Sequence, residues 1–79
     1  MEDKIKKIIC NISRGILLKE DINDKTNLIE EYSFDSIMLI QMLTDIENEF
    51  AIEFEASKLD LDVVSVFGSL TRLVEDTIE

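Results

Sequence analysis

The chain has 79 residues, 46% of them hydrophobic, and its 18 Asp and Glu against 8 Lys and Arg leave a net charge of −10. This length predicts one domain over residues 1–79, and the apolar fraction excludes a disordered acidic tail. One Cys excludes an internal disulfide, and the lack of His excludes Ser-His or Cys-His catalysis and the usual His-bearing zinc sites.

The negative charge is concentrated in residues 26–79, which hold thirteen acids and two bases, Lys58 and Arg72. Such a surface repels phosphate backbones, so nucleic acid is not expected as a partner, whereas a basic protein surface would be attracted. Apolar runs reach four residues at most. We therefore expect a monomeric, soluble cytoplasmic protein with no membrane span and no signal peptide.

The first predicted element is an amphipathic helix near the N-terminus. Asp3 is placed to cap it or to lie in its first turn, and Gly15 is placed to end it. Its apolar stripe would comprise Ile5, Ile8, Ile9, Ile12 and Ile16. Residues 17–34 show no sustained period and predict a long loop. Its apolar side chains would pin that loop to the core: Leu17, Leu18, Ile22, Leu28, Ile29, Tyr32 and Phe34.

The strongest helical pattern begins at Ser36, with Asp35 as the predicted N-cap. A seam at i, i+4, i+7 and i+11 would be buried, and it consists of Leu39, Leu43, Ile46 and Phe50. At about 100° per residue, the opposite face would be in water. That face consists of Ile37, Gln41, Thr44, Asp45 and Asn48.

The last third predicts one short and one long helix. Ile52 and Phe54 alternate with glutamates, but no partner strand is available, so we expect an extended loop that places both side chains in the core. A short helical turn is expected within residues 60–67, Gly68 would break it, and Ser69 would cap the last helix. The apolar face of that helix would be Leu70, Leu73, Val74 and Ile78. The predicted fold is all-α: a small antiparallel four-helix bundle with three main amphipathic helices and one short helix.

Ser36 is the residue whose position suggests chemistry. A phosphate ester at the start of a helix is favoured by about 0.3–1 kcal/mol through unbonded amides and the helix dipole. The chain has no His to activate the hydroxyl, so Ser36 is interpreted as a point that another enzyme modifies. Asp-Ser before an apolar helix is also an ordinary helix start, so the dipeptide alone does not establish a function.

The sequence context of Ser36 carries a family resemblance. Residues 28–37, Leu-Ile-Glu-Glu-Tyr-Ser-Phe-Asp-Ser-Ile, resemble the phosphopantetheine attachment motif of acyl and peptidyl carrier proteins. Residues 45–50 with Ile52 resemble the end of their second helix, and Ser69, Leu70, Leu73 and Ile78 resemble their fourth. The resemblance covers essentially the whole chain, including its length and acidic balance.

The resemblance implies that Ser36 receives 4′-phosphopantetheine from coenzyme A, with Asp35 capping the helix and assisting a magnesium-dependent phosphopantetheinyl transferase. The arm's thiol would hold an acyl or aminoacyl cargo as a thioester, and the carrier itself would catalyse nothing. Other implied partners are an adenylating or acyl-loading enzyme and a downstream synthase or transferase. Partner enzymes would dock on Ile37, Met38, Gln41 and Asp45. Met38 is expected to be exposed, and no metal ligand is predicted.

The chain departs from the family pattern at Ser33, where the family usually has Gly, so the loop there is expected to follow a different local path. A second departure is Glu55, where the family often has Pro. The second helix also lacks the acids near Ser36 that fatty-acid carriers typically have. The apolar docking surface of this helix resembles that of nonribosomal peptide, polyketide or D-alanyl carriers. Residues 59–64 also resemble the D-alanyl type. A free-standing carrier of such a kind is expected, with fatty acid synthesis as the less favoured pathway.

An alternative function needs no covalent modification. A small acidic helical adaptor with Ile37 and Met38 as its docking patch would have the same fold. Cys10 lies near the isoleucine stripe of the first helix and is interpreted as a half-buried apolar residue rather than a reactive thiol.

Overall fold

The computed structural model describes residues 1–78, and Glu79 lies outside the described part. Within that range the chain is all-helical without a strand, which confirms the predicted fold class. The helices are α1 (Glu2–Ile12), α2 (Leu28–Tyr32), α3 (Ser36–Phe50), α4 (Leu61–Ser65) and α5 (Phe67–Ile78), with 3₁₀ turns at Lys19–Asp21 and Ala56–Lys58. The molecule measures 30 × 21 × 21 Å.

One hydrophobic core joins all five helices and the loops between them. Its buried residues are Ile5, Ile9, Leu17, Ile22, Leu28, Phe34, Leu39, Met42, Ile46, Phe54, Val64, Phe67, Leu70, Leu73 and Val74. Phe54 enters this core from an extended segment and Ile52 is half-buried against it, which confirms the predicted loop. Within residues 1–78, no helix has the length and apolar character that crossing a membrane requires.

Helix α1 ends one turn earlier than its isoleucine stripe suggested. It stops at Ile12, and the backbone turns through Arg14 and Gly15 with φ of 59° and 83°. The prediction that Gly15 lies at the end of this helix is confirmed, but Ile16 falls beyond the turn and is 80% exposed. The predicted core position of Ile16 is therefore wrong, as is that of Leu18, which is half exposed.

Helix α2 lies inside the segment that the sequence predicted as a loop. Asn27 Oδ1 accepts hydrogen bonds from the backbone N–H groups of Ile29 and Glu30, both at 3.0 Å. The Glu31 carboxylate accepts in return from the Asn27 N–H at 2.9 Å. These contacts satisfy the first amides of a helix of five residues, which is too short to show a hydrophobic period.

The buried face of α3 is rotated relative to the predicted seam. Leu39, Met42 and Ile46 are buried, whereas Leu43 and Phe50 are half-buried. The spacing i, i+3, i+7 therefore describes the core face better than i, i+4, i+7, i+11. The shift leaves part of Leu43 at the surface, beside Ser36.

The start of α5 also differs from the prediction. Val66 is extended, with φ −104° and ψ 126°, and this single non-helical residue separates α4 from α5. Helix α5 then begins at Phe67 and runs through Gly68, so Gly68 is not the breaker and Ser69 is not the cap. The Ser69 hydroxyl instead donates to the carbonyls of Val63 and Val66. Ile78, predicted on the buried face, is half exposed.

Gly68 is required by a close approach of two backbone segments. Its N–H donates to the Asp24 carbonyl at 2.9 Å, and a Cβ at this position would lie 2.8 Å from that oxygen. The Phe67 N–H donates to the Thr26 carbonyl at 3.0 Å, and Asn27 forms a β-bridge with Val66. These bonds hold the segment before α2 against the start of α5, and so fix the chain that leads to Ser36.

Candidate functional site

Ser36 is the first residue of α3, and its side chain is exposed. Asp35 is extended and its Oδ1 accepts a hydrogen bond from the Met38 N–H at 2.8 Å, which confirms the predicted N-cap. Within residues 1–78, no protein group bonds the hydroxyl of Ser36 or the N–H groups of Ser36 and Ile37. The hydroxyl is thus accessible beside two unbonded donors at the positive end of a 15-residue helix.

Two residues of the turn before α3 fix the position of Ser36. Ser33 has a left-handed backbone conformation, and Phe34 is buried in the core. Ser33 has φ 58° and ψ 34°, and its N–H donates to the Ile29 carbonyl at 3.1 Å. The next residue, Phe34, is buried in the core. Ser33 therefore adopts the positive φ that favours Gly, and α2 still closes normally. The expectation that the loop follows a different local path at Ser33 is therefore wrong, because Ser33 adopts the left-handed conformation in spite of its cost.

Replacing Ser33 by Gly should stabilise the protein. A left-handed conformation costs an L-residue about 1–2 kcal/mol, and the greater freedom of Gly in the unfolded chain offsets part of the gain. Since Ser33 is exposed, little packing is lost. We expect Ser33→Gly to raise the free energy of unfolding by about 0.5–1 kcal/mol in urea titrations.

Ser57→Gly is the matched control, because Ser57 is also exposed but has no positive φ. It should lower the free energy of unfolding or leave it unchanged. A Ser33→Gly variant that is less stable than the parent would contradict the strain assigned to the turn.

The exposed face of α3 contains most of the predicted docking residues. Ile37 is 73% exposed, and Gln41, Thr44, Asp45 and Asn48 are exposed too, so the predicted wet face is confirmed. Met38 is different, because it is half-buried and packs against the core. The prediction that Met38 is exposed is therefore wrong.

A groove beside Ser36 was not predicted. It has a volume of about 260 Å³, and every residue that lines it apart from Ser36 is apolar. The lining comprises Ser36, Leu39, Ile40, Leu43, Leu59, Leu61 and Val64. Ile40 and Leu61 are more than half exposed, so the groove has a solvent-exposed apolar border. The sequence signal was the pair Leu59 and Leu61 among acids, but nothing local indicates that they reach Ser36.

Cys10 lies half-buried on α1. Burial raises the pKa of its thiol, the charge of Lys19 partly offsets this, and Asp21 raises it further. The thiol is therefore protonated at neutral pH and is a poor nucleophile. This agrees with its interpretation as a half-buried apolar residue.

Comparisons with known proteins identify a family for the chain as a whole. Residues 3–74 match the family described as "Phosphopantetheine attachment site". The chain is also 28% identical over 76 residues to an acyl carrier protein of Chlamydia muridarum (strain MoPn / Nigg), which covers 96% of this chain and 94% of that protein. The family match spans α1 to α5. The chain therefore belongs to the carrier protein family whose members have a phosphopantetheine attachment site.

Proposed function

We propose that this protein carries an acyl or aminoacyl cargo as a thioester on a 4′-phosphopantetheine arm attached to Ser36. The observation that supports this assignment is the exposed, unbonded Ser36 hydroxyl at the start of α3, inside the region that matches the family. The arm supplies a terminal thiol when bound. The chain supplies a fixed point of attachment and the surfaces around it.

The residues at the start of α3 fit a phosphodiester on Ser36. The N–H groups of Ser36 and Ile37 are available to phosphate oxygens, and the helix dipole favours negative charge there by about 0.3–1 kcal/mol. Asp35 occupies the Met38 N–H and so holds the first turn in place. Since the chain has no His and Asp35 Oδ1 accepts from the Met38 N–H, we assign the base that deprotonates Ser36 to the transferase.

The groove beside Ser36 favours an apolar acyl cargo. An ammonium group placed against these aliphatic side chains would lose its hydration without gaining a hydrogen-bond partner, which is costly. A short aliphatic chain would instead bury the exposed surfaces of Ile40 and Leu61. We therefore favour an aliphatic acyl group over a small amino acid, although the face of α3 first suggested amino acid carriers.

Partner enzymes are proposed to dock on the exposed face of α3 next to Ser36. Ile37, Gln41 and Asp45 are exposed there, and Ile40 adds a second apolar side chain. Because Met38 packs on the core, its contribution is to hold the first turn rather than to meet a partner. An apolar centre with a polar rim is the usual composition of a docking patch.

Ile37→Asp should weaken docking while leaving the fold intact. The side chain is 73% exposed, so the substitution removes little packing, and an acid in the first turn of a helix is electrostatically favourable. We expect the kcat/KM of a phosphopantetheinyl transferase acting on this variant to fall roughly tenfold, the loss of about 1.4 kcal/mol of docking energy.

Asn48→Asp is the matched control for Ile37→Asp. It adds the same charge on the same exposed face of α3, about three turns from Ser36. Its kcat/KM should stay within twofold of the parent. Equal kinetics for Ile37→Asp and the parent would remove Ile37 from the docking surface.

A labelling experiment separates the carrier from the non-covalent adaptor. The full chain is incubated with a fluorescent coenzyme A analogue, magnesium and a broad-specificity phosphopantetheinyl transferase, and fluorescence is read after denaturing electrophoresis. A carrier becomes labelled with one fluorophore per chain. An unlabelled but folded chain, beside a carrier protein that the same enzyme labels, would favour the adaptor.

A further inference from the structure

A second groove lies on another side of the segment that borders the Ser36 groove. Leu59, Leu61 and Val64 line the Ser36 groove, whereas their neighbours Lys58, Asp60 and Val63 line the second one. Its volume is about 370 Å³. The remaining lining residues are Ser57, Ser69, Arg72, Leu73 and Asp76.

The charges of this groove are unusual for their surroundings. Lys58 and Arg72 are the two bases of residues 26–79, a segment with thirteen acids, and both line the same groove. In the described part of the chain, the one ion pair within 4.0 Å joins Lys4 and Glu49, so neither groove cation is held by a carboxylate. Both cations are exposed to solvent, which leaves them accessible to a ligand.

The other groove residues include aliphatic side chains and two acids, Asp60 and Asp76. Leu73 is buried, Val63 is half-buried and both line the groove, so part of its surface is aliphatic. Asp60 Oδ1 accepts a hydrogen bond from the Asp62 N–H at 2.9 Å and is thereby directed at the start of α4. Asp76 is the second acid that lines the groove, and it is exposed.

We propose that the groove between Lys58 and Arg72 binds a small amphiphilic carboxylate. The carboxylate lies against the two cations, where the Arg72 guanidinium offers paired donors that match its geometry. The short aliphatic body lies on Val63 and Leu73. A volume of about 370 Å³ suits a ligand of this size. The site is separate from Ser36 and does not depend on the arm.

The net charge of −10 argues for a small ligand over an acidic protein. An acidic protein partner would meet repulsion from the whole surface of residues 26–79. A compact monoanion close to Lys58 and Arg72 is screened from acids more than about 8–10 Å away at physiological salt. Within the groove, Asp76 and the Asp60 carboxylate, which is bonded to the start of α4, oppose it.

The test is a titration of the full ¹⁵N-labelled chain, with Ser36 unmodified, with sodium hexanoate. We expect saturable shifts of the backbone amide signals of residues 57–63 and 69–76. Hexan-1-ol, which has the same chain length without the charge, should bind about tenfold more weakly. The double variant Lys58→Gln/Arg72→Gln should lose at least tenfold in affinity, and Asp76→Asn should gain about two- to threefold.

The double variant Lys7→Gln/Arg14→Gln removes the same charge outside the groove and should bind hexanoate like the parent. Equal binding of hexanol and hexanoate, shifts centred on Leu39 and Leu43, or unchanged affinity in the Lys58/Arg72 variant would each overturn the proposal. Ser36→Ala should titrate like the parent although it cannot carry an arm. A failed titration therefore leaves the proposed carrier function untouched, and a failed labelling leaves this site untouched.

Discussion

Ser36→Ala is expected to abolish the attachment of phosphopantetheine completely. The substitution removes the oxygen that would bond to phosphorus, and no neighbouring group can replace it. Because Ser36 is exposed and its hydroxyl bonds no protein group within residues 1–78, the fold should be unaffected. Intact mass after treatment with coenzyme A, magnesium and transferase should show no gain, while the free energy of unfolding should stay within about 0.5 kcal/mol of the parent.

Ser33→Ala serves as the control for this substitution. Ser33 is an exposed serine three residues before Ser36 and should leave attachment complete, since it is proposed to shape the turn and not to react. A mass gain in Ser36→Ala would contradict the assignment directly. Loss of attachment in both variants would show that the turn, rather than the hydroxyl alone, decides whether the transferase acts.

Phe67→Ala should destabilise the protein by about 3–5 kcal/mol, the usual cost of removing a buried aromatic side chain. Phe67 is 1% exposed at the start of α5, and its ring lies 5.6 Å from the Lys6 ammonium of α1. A domain of this size has a total stability of roughly 4–12 kcal/mol, so a large part of it would be lost. Thermal unfolding should occur about 12–40 °C lower than in the parent.

The large effect expected of Phe67 comes from its position where separate elements meet. The Phe67 N–H donates a hydrogen bond to the Thr26 carbonyl. The cavity left by Phe67→Ala is therefore expected to loosen the segment that leads to α2 as well. Ile16→Ala is the control, because that side chain is 80% exposed and should change stability by no more than about 0.5 kcal/mol. Equal melting temperatures for Phe67→Ala and Ile16→Ala would contradict the burial of Phe67 in the core.

The exposed face of α3 could be predicted from the sequence because its start was identifiable. Asp35 marks the cap, and a rotation of about 100° per residue then places Ile37, Gln41 and Asp45 in water. The buried face was harder to phase, since six of the seven residues in 37–43 are apolar. A pattern with so few polar residues does not distinguish Met42 from Leu43 as the deeper side chain, and only tertiary packing, chiefly of α3 against α1, does so.

The start of α5 could not be predicted from local signals. Gly and Ser at positions 68 and 69 are typical of a break followed by a cap. The break falls instead at Val66, which pairs with Asn27, and Gly68 is needed because the Asp24 carbonyl approaches it. Both causes lie about 40 residues away in sequence. The cap of α2 was visible in principle, since Asn27 is followed by Glu30 and Glu31.

The two grooves could not be predicted from the sequence either, because their lining residues are distant along the chain. Leu59 and Leu61 reach Ser36, and Lys58 and Arg72 come together, only because the loop after α3 folds back along α4 and α5. Residue types in a sequence indicate which chemistry is possible, but such pairings depend on the tertiary fold. The attachment residue was identifiable because its cap, hydroxyl and helix are adjacent in sequence.

Tandem mass spectrometry of the transferase-treated chain after digestion shows which residue carries the arm. The chain offers six serines as competing sites: Ser13, Ser33, Ser36, Ser57, Ser65 and Ser69. We predict one phosphopantetheine per chain, with its fragment ions placing the added mass on Ser36. An arm on another serine, or no arm on a folded chain treated with an active transferase, would rule out Ser36 as the attachment residue.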